Sequence, residues 1–252
     1  MQIRDNTIFI TGGSSGIGRG LAEAFHKVGN QVIISGRRED RLKEVCAANP
    51  GMRHFVLDVR DPAAIREVAG KVVAEFSVLN CVFNNAGVQR RLELVSGAPL
   101  HQEDLPDDEI STNLLGVIRI AAEFIPHLVQ QPESTLVNIS SGLAFVPIAR
   151  FPVYCATKAA VHSFTLSLRH QLKGSGVKVI ELIPPYVATE LGGPRETVVP
   201  GGPQPMPLQS FVEQAMEALA GGGDELAIGD ARNLVAATNP ETVRKVFARM
   251  NR

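Results

Sequence analysis

Tyr154 and Lys158, with three residues between them, are the side chains of this sequence best suited to proton transfer. The chain has only two tyrosines and no tryptophan, so Tyr154 is not one of many aromatic core residues. A lysine four residues later lies on the same face of any helix that contains both. Its ammonium favours the phenolate and lowers a pKa that is ordinarily about 10. The pair predicts an acid–base site, although an amphipathic helix with a surface lysine has the same pattern.

A glycine-rich turn follows the first predicted strand, Thr7–Thr11, and leads into a helical pattern. In a phosphate-binding turn the first glycine permits the tight bend, the second lets the backbone approach a pyrophosphate, and the third allows close helix packing. The helix N-terminus adds free N–H groups and the positive end of the helix dipole. The sequence therefore predicts a dinucleotide site that includes Gly12, Ser14, Ser15, Gly16, Ile17 and Gly18.

Arg37 and Arg38 follow the second predicted strand, Gln31–Ser35, and acidic residues come only after them. An acid at the end of this strand would bind the ribose 2′-hydroxyl and favour NAD(H). Arginine at this position instead holds the 2′-phosphate of NADP(H) through paired hydrogen bonds. We therefore expect NADP(H) to be the preferred cofactor, with NAD(H) as the alternative. The alternative interpretation is an arginine that begins a helix and faces solvent, since it would give the same sequence pattern.

The elements that must position these residues alternate along the chain. The predicted strands are Thr7–Thr11, Gln31–Ser35, Arg53–Leu57, Asn80–Asn84, Thr135–Ser140 and Lys178–Ile183, with helices predicted near 16–28, 38–48, 62–76, 107–130 and 152–173. Nearly continuous apolar strands separated by helices imply a parallel sheet covered on both faces. We predict the α/β class: one doubly wound Rossmann domain over residues 1–252, with a central parallel β-sheet flanked by helices. A strand near Glu225–Ile228 and a helix over Pro240–Arg249 complete it.

The segment Gly192–Pro207 departs from this alternation, because nine of its sixteen residues are glycine or proline. Such a composition excludes a regular helix or central strand. The segment follows the last long strand, so it is expected at the carboxyl edge of the sheet, where ligands bind in these folds. A substrate lid over 190–211 and a flexible surface loop are both compatible with it. A lid would have an apolar wall made of Val198, Val199, Met206, Leu208 and Phe211.

Composition argues against several other classes of protein. A formal net charge of −1 gives no indication of a nucleic-acid partner. The three cysteines and six histidines lack metal-ligand spacing, so no metal site is predicted. The longest apolar stretch, Leu114–Ile125, is interrupted by Arg119 and Glu123 and is too short to span a membrane. No signal-peptide pattern is visible, and we expect a cytoplasmic protein.

Together these patterns resemble the short-chain dehydrogenases/reductases over essentially the full length of the chain. The glycine turn matches the family's TGxxxGxG pattern, Asn84-Asn85-Ala86-Gly87 matches NNAG, and Tyr154 with Lys158 matches YxxxK. Ser141, thirteen residues before Tyr154, matches the catalytic serine, and Asn113 matches the catalytic asparagine. Several motifs in the expected order and spacing make the resemblance specific.

The resemblance implies hydride transfer between a nicotinamide and a carbonyl or alcohol carbon. Ser141 would hydrogen-bond the carbonyl oxygen while Tyr154 donates the proton. Lys158 would lower the Tyr154 pKa and bind the ribose hydroxyls, and Asn113 would hold a water that connects Lys158 to solvent. Ser140 is the competing candidate for the serine role. Because strand alternation turns the side chains of Ser140 and Ser141 to opposite faces, only one of the two would reach the substrate.

The resemblance also implies the remaining cofactor contacts. Asp58, with Val59 beside it, would meet the adenine end, and Asn85-Ala86-Gly87 would lie beside the cofactor or serve the architecture alone. After the sixth strand the family usually has Pro-Gly, whereas this chain has Pro184-Pro185, which stiffens the turn. Val187 would still present its amide, and Thr189 its hydroxyl, to the cofactor. The Pro-Pro variant is similar to the DltE-like branch of the family.

Two other functions are compatible with part of the pattern. A cofactor-binding sensor or scaffold without chemistry would keep the glycine turn but would not need the serine, asparagine, tyrosine and lysine. An epimerase or dehydratase would ordinarily need a larger C-terminal domain than the residues after Thr189 supply. For the reductase, the resemblance implies a small carbonyl or alcohol substrate and a homodimer or homotetramer formed through helices 107–130 and 152–173.

Overall fold

A computed structural model describes residues 1–94, 107–191 and 204–251. Seven strands form one sheet in the order β3-β2-β1-β4-β5-β6-β7, and every neighbouring pair is parallel. The strands are β1 (Thr7–Thr11), β2 (Gln31–Gly36), β3 (Arg53–Val56), β4 (Cys81–Asn84), β5 (Ser134–Ile139), β6 (Val177–Ile183) and β7 (Glu225–Ala227). The predicted parallel α/β sheet is thereby confirmed.

Helices connect the strands and cover both faces of the sheet. Their bounds are α1 (Gly16–Lys27), α2 (Glu39–Ala48), α3 (Pro62–Glu75), α4 (Asp107–Ile110), α5 (Gly116–Leu128), α6 (Pro152–Gln171), α7 (Leu208–Gly221), α8 (Ala231–Val235) and α9 (Pro240–Met250). A π-helical turn, Ser111–Leu115, joins α4 to α5, and a short 3₁₀ turn, Gly142–Ala144, follows β5. In the described parts of the chain, no helix is long and apolar enough to cross a membrane.

Strand alternation divides the core into two apolar layers. Ile8 and Ile10 of β1 face one layer, which includes α1 and α7, whereas Phe9 faces the other, which includes α3 and α5. Phe9 packs on Phe124 of α5, with ring centroids 5.0 Å apart. Since consecutive strand residues point to opposite faces, an apolar run buried on both sides is what a covered parallel sheet requires.

The order of the strands places the site. β1 pairs with β2 on one side and with β4 on the other, so the connections after β1 and β4 leave the sheet in opposite directions. In open α/β sheets this reversal creates a crevice at the carboxyl ends of the strands. The glycine turn after β1 and the segment after β4 border that crevice.

Two predicted elements differ from the structure. The helix predicted over 107–130 is interrupted by the π-helical turn and ends at Leu128. The lid predicted over 190–211 lies largely outside the described residues, since 192–203 are not described. Its final part is helical, because α7 begins at Leu208 and Phe211 is fully buried in the core. Burial of Phe211 against the sheet makes it a core residue and excludes it from a pocket wall.

Candidate active site

The glycine turn forms a cradle that side chains would fill. Gly12 and Gly16 have φ values of +69° and +54°, a conformation that favours glycine. A Cβ on Gly12 would come within 2.9 Å of the Ala86 backbone, and one on Gly18 within 2.3 Å of the Asn85 side chain. Close contact with the segment after β4 therefore demands glycine at both positions, and the helix N-terminus favours an anion at the start of α1.

The NNAG segment holds this cradle in place. The Asn85 amide donates to the carbonyl oxygens of Thr11 at 2.8 Å and Gly12 at 3.3 Å. The Thr11 hydroxyl in turn accepts from the backbone N–H groups of Asn85 and Ala86, both at 3.0 Å. Asn85 thus serves the architecture by joining the turns after β1 and β4.

The other predicted residues of the turn have distinct environments. Ser14 is buried, and Ile17 packs against the apolar core. Ser15, directly before α1, accepts a hydrogen bond at its Oγ from Arg38 Nη2 at 2.9 Å. Arg38 is therefore fixed at the mouth of the phosphate cradle.

Two arginines and one carboxylate form a cluster beside the cradle. Glu190 accepts from Arg41 Nη1 at 2.7 and 2.9 Å and from Arg38 Nη1 at 3.4 Å. These guanidinium groups hold the pKa of Glu190 below its usual value, with Arg41 the larger cause. The cluster is an exposed site for anionic oxygen atoms, and Glu190 occupies part of it.

Asp58, the residue predicted at the adenine end, forms a paired interaction with Arg60. Arg60 Nε lies 3.0 Å from both carboxylate oxygens, and Nη2 lies 2.6 Å from Oδ2. The hydrogen bonds from Arg60 lower the pKa of Asp58, and the charge of Arg37 lowers it further. The charge of Arg37 thus acts on Asp58, whereas Arg38 bonds to Ser15 beside the glycine turn. The neighbouring Val59 is buried against Gly116.

Tyr154 and Ser141 meet at the carboxyl end of β5. Both side chains are nearly fully buried, and the Ser141 hydroxyl lies close enough to the Tyr154 phenol to affect its pKa. Burial raises the pKa of Tyr154 well above its ordinary value, and Ser141 opposes that rise. The expected lowering of the Tyr154 pKa is therefore wrong for this structure, because desolvation of the phenolate outweighs the neighbouring groups. Ser140 is buried without a side-chain hydrogen bond in the described residues, so Ser141 is the serine at the phenol.

Lys158 lies one helical turn after Tyr154 on α6. Its ammonium is 5.7 Å from the centre of the Tyr154 ring and donates to the Ile139 carbonyl oxygen at 2.7 Å. Burial lowers the pKa of Lys158 to about 8, and the charge of Glu181 acts in the opposite direction. A lysine so poised exchanges its proton near neutral pH.

Asn113 is fully buried in the π-helical turn, a feature that often marks functional sites. Its side chain accepts from the Val88 N–H at 2.9 Å and donates to the Val88 carbonyl oxygen at 2.8 Å. A Cβ on Gly87 would lie 3.4 Å from Asn113 Oδ1 and 3.9 Å from Lys158 Nζ. Asn113, Gly87 and Lys158 therefore converge on one small space.

The turn after β6 closes the cofactor side. Pro184 is buried, and its carbonyl oxygen accepts from the Gly142 N–H at 3.0 Å. Val187 is buried and forms a bridge with Met206. A Cβ on Gly16 would lie 3.3 Å from the Thr189 side chain, so Thr189 lies against the glycine turn.

The structure adds residues that the sequence argument missed. Arg41 and Glu190 join the arginine cluster, and Glu181 stands behind Lys158. A glutamate within the apolar strand KVIELI was an available indication of a buried polar role. Arg90, which follows the NNAG segment, donates to the Asp108 carboxylate from Nε at 2.8 Å and is paired there.

Comparisons with known proteins agree with this geometry. The model of the family described as short chain dehydrogenase matches residues 6–198. The uncharacterized oxidoreductase DltE of Bacillus subtilis (strain 168) is 38% identical over 251 residues, covering 100% of this chain and 98% of that protein. The NADP-dependent 3-hydroxy acid dehydrogenase YdfG of Escherichia coli (strain K12) is 34% identical over 184 residues, covering 71% of this chain and 72% of that protein.

Solved structures share the whole architecture. A short-chain dehydrogenase from Sphingobium yanoikuyae, solved in complex with NADPH, is 26% identical and superposes with a TM-score of 0.78. The match covers 98% of this chain and 96% of that chain. This chain thus shares its overall fold with that short-chain dehydrogenase.

Proposed function

This chain belongs to the short chain dehydrogenase family of oxidoreductases, and we propose that it reduces a ketone or aldehyde to an alcohol, reversibly, with NADP(H). The observation that carries the proposal is the buried Tyr154 phenol beside Ser141, with the buried Lys158 ammonium 5.7 Å from the centre of its ring, at the same sheet edge as the glycine turn. Hydride transfer coupled to protonation requires a proton donor and a dinucleotide site at the same edge of the sheet.

The cofactor preference rests on the cluster at the cradle. The tight glycine turn at the N-terminus of α1 suits a pyrophosphate, and Arg38, bonded to Ser15, suits a 2′-phosphate. Asp58 with Val59 would hold the adenine end, whereas the turn at Pro184, Val187 and Thr189 would hold the nicotinamide end. The NADP dependence of the Escherichia coli relative and the NADPH complex of the Sphingobium protein support the same preference.

The acid–base roles follow from burial. Because burial raises the pKa of Tyr154, its phenol is protonated at neutral pH and is ready to donate to a carbonyl oxygen held by Ser141. Lys158 lies within reach of a ribose placed against Gly87 and supports the phenolate left after donation. Asn113, which fixes the Val88 backbone, would order a water beside Lys158 for reprotonation. Bound NADPH supplies the hydride.

We further propose a cytoplasmic enzyme that acts on a small carbonyl or alcohol substrate as a homodimer or homotetramer. The α5 and α6 helices are the proposed contact, and Leu166 of α6 is a large apolar residue exposed there. Sedimentation of the purified protein measures the number of copies. A monomer at micromolar concentration would contradict the oligomer without affecting the catalytic proposal.

The decisive experiment is NADPH oxidation, followed spectroscopically, across a panel of ketones, aldehydes and keto acids. We expect turnover with at least one class and a higher kcat/KM with NADPH than with NADH. Tight NADPH binding without turnover on any carbonyl would instead indicate a cofactor-binding sensor. A clear preference for NADH would contradict the cofactor assignment while leaving the reaction intact.

A further inference from the structure

A row of polar side chains crosses the sheet beneath α6. Asn84, Asn138 and Glu181 occupy adjacent strands in register, so all three point to the same face. Their exposed fractions are 2%, 0% and 0%. Asn84 donates to Asn138 at 2.9 Å, and Asn138 donates to the Thr165 hydroxyl of α6 at 2.9 Å. Three polar residues in the middle of an apolar sheet are costly to bury unless they are hydrogen-bonded or paired.

Glu181 is the charged member of this row. Its Oε2 lies 2.7 Å from His162 Nδ1, and because a carboxylate only accepts, Nδ1 carries the hydrogen. Its Oε1 has no hydrogen-bond partner among the residues that the structure describes. His162 is partly exposed and stacks on Phe145, with ring centroids 4.6 Å apart. The imidazole thus covers the edge of the carboxylate and fixes its orientation.

Lys158 adjoins this pair. It precedes His162 by one helical turn, and its ammonium donates to the carbonyl oxygen of Ile139. Ile139 follows Asn138, which lies directly opposite Glu181 in the sheet. Lys158 is 4% exposed, and an ammonium buried to this degree needs an anion nearby to remain charged.

The other ionisable groups around Lys158 do not provide this charge. Tyr154 and His162 share its helix and are not carboxylates, and the facing Ile139 and Gly87 offer backbone groups only. Glu109 of α4 is also fully buried, but its charge acts on Tyr154 and Cys155. Glu181 is thus the carboxylate whose charge reaches Lys158 among the described residues.

We propose that Glu181, oriented by His162, is a positioning residue that keeps the Lys158 ammonium charged and in place for the cofactor and Tyr154. The proposal rests on the oxidoreductase function proposed above and adds a residue to it. The buried glutamate of β6 would thereby support the reaction and also affect the free energy of unfolding at alkaline pH. His162 acts one step further out, by holding the carboxylate.

The proposal sets the sign of a pH effect. Charged Lys158 predominates below the pKa of about 8 and is lost as pH rises through it. NADPH affinity and kcat/KM should therefore fall on the alkaline side. Without the Glu181 carboxylate the charged form is less favoured, so the fall moves to lower pH, by about one pH unit. His162→Asn leaves the carboxylate in place but less constrained, and should move the fall by less.

The test compares wild type, Glu181→Gln, His162→Asn and the control Glu225→Gln, which removes a carboxylate from the neighbouring strand β7 at the position in register with Glu181. NADPH binding, followed by the fluorescence of the bound nicotinamide, and kcat/KM are each measured from pH 6 to pH 10. We expect the alkaline limb to shift to lower pH in Glu181→Gln and to stay in place in Glu225→Gln. A Glu181→Gln limb that coincides with wild type, or an equal loss at every pH, would overturn the proposal.

A second readout does not need turnover or cofactor. Between pH 8 and pH 10.5 the unfolded chain holds a proton on Lys158 that the folded chain has released, so the free energy of unfolding should rise with pH. Lys158→Met should remove this rise, and Glu181→Gln should make it begin at lower pH. If wild type neither binds NADPH nor turns over, the proposed function fails, and this stability curve still decides the role of Glu181. A curve unchanged by Glu181→Gln would contradict that role.

Discussion

Glu181 and Glu190 are nine positions apart, and each faces cations at the edge of the same sheet, yet their surroundings are opposite. Glu181 is fully buried at the catalytic end, behind Lys158. The Glu190 side chain is 62% exposed at the phosphate end, between Arg38 and Arg41. Exposed ion pairs are screened by water and contribute little, whereas a buried charge that loses its partner is strongly destabilising.

The comparison shows how one fold divides its tasks. At the catalytic end, burial shifts the pKa values of Tyr154 and Lys158 and makes each group depend on its neighbours. At the phosphate end, Arg38 and Arg41 are exposed to solvent and share one anionic partner, Glu190. Substitutions at the catalytic end should therefore change turnover and the free energy of unfolding. Substitutions at the phosphate end should change the affinity for the cofactor.

The largest effect is expected at the catalytic end. Tyr154→Phe removes the only proposed proton donor and should lower turnover at least 10²–10⁴-fold, since positioned acid catalysis is worth about that much. NADPH binding should persist. Tyr186→Phe, which alters the only other tyrosine, an exposed one, is the control and should keep its turnover. If Tyr154→Phe turns over within a few-fold of wild type, Tyr154 is not the proton donor. The expected difference between the catalytic and phosphate ends would then be contradicted as well.

An intermediate effect is expected where the two ends meet, at the glycine cradle. The Cβ of Gly18→Ala would lie 2.4 Å from the Gly12 carbonyl oxygen and 2.3 Å from the Asn85 amide, and should cost about 1–3 kcal/mol of unfolding free energy. Gly70→Ala, in α3, has no neighbour within 4 Å and should gain roughly 0.5–1 kcal/mol. Denaturant unfolding measures both. Equal effects would mean that the cradle is loosely packed.

The smallest effects are expected at the exposed end, and their signs should differ. Arg38→Gln should weaken NADPH binding roughly tenfold and NADH binding little, because it removes a charged partner of the 2′-phosphate. Glu190→Gln should tighten NADPH binding a few-fold, because the carboxylate competes for the same guanidinium groups. Isothermal titration calorimetry at two salt concentrations measures the affinities of both variants for NADPH and NADH. Weaker NADPH binding in Glu190→Gln would show that the carboxylate orients the arginines instead.

Much of the fold followed from local pattern. Apolar strands in alternation with helices predicted the parallel sheet, and strand ends lay within two residues of their predicted positions. The glycine turn was predictable because positive φ and close backbone contact at Gly12 and Gly16 demand glycine. Tyr154, Lys158 and Ser141 were found through their spacing, and the structure brings them together.

The remaining features depend on contacts between distant parts of the chain. Spacing cannot reveal whether desolvation or a neighbouring ammonium dominates at Tyr154, so the direction of its pKa shift was wrong. Glu190 meets Arg38 and Arg41 across about 150 residues of sequence, and nothing local indicates that meeting. The helix that begins at Leu208 and buries Phe211 directly follows a segment rich in proline and glycine, whose composition gives no indication of it.

The backbone pairing beside Val187 has a consequence for evolution. Met206 N–H donates to the Tyr186 carbonyl oxygen, and Ala188 N–H donates to the Met206 carbonyl oxygen, both at 2.8 Å, so the described chain on the two sides of residues 192–203 is joined by backbone hydrogen bonds. Once the ends of a connection are joined, each doubling of its length costs only about 0.6 kcal/mol. We therefore expect changes in the number of residues between Leu191 and Gln204 to cost this scaffold little. Descendants of one ancestral gene can vary that stretch in length and sequence while inheriting the reaction machinery unchanged.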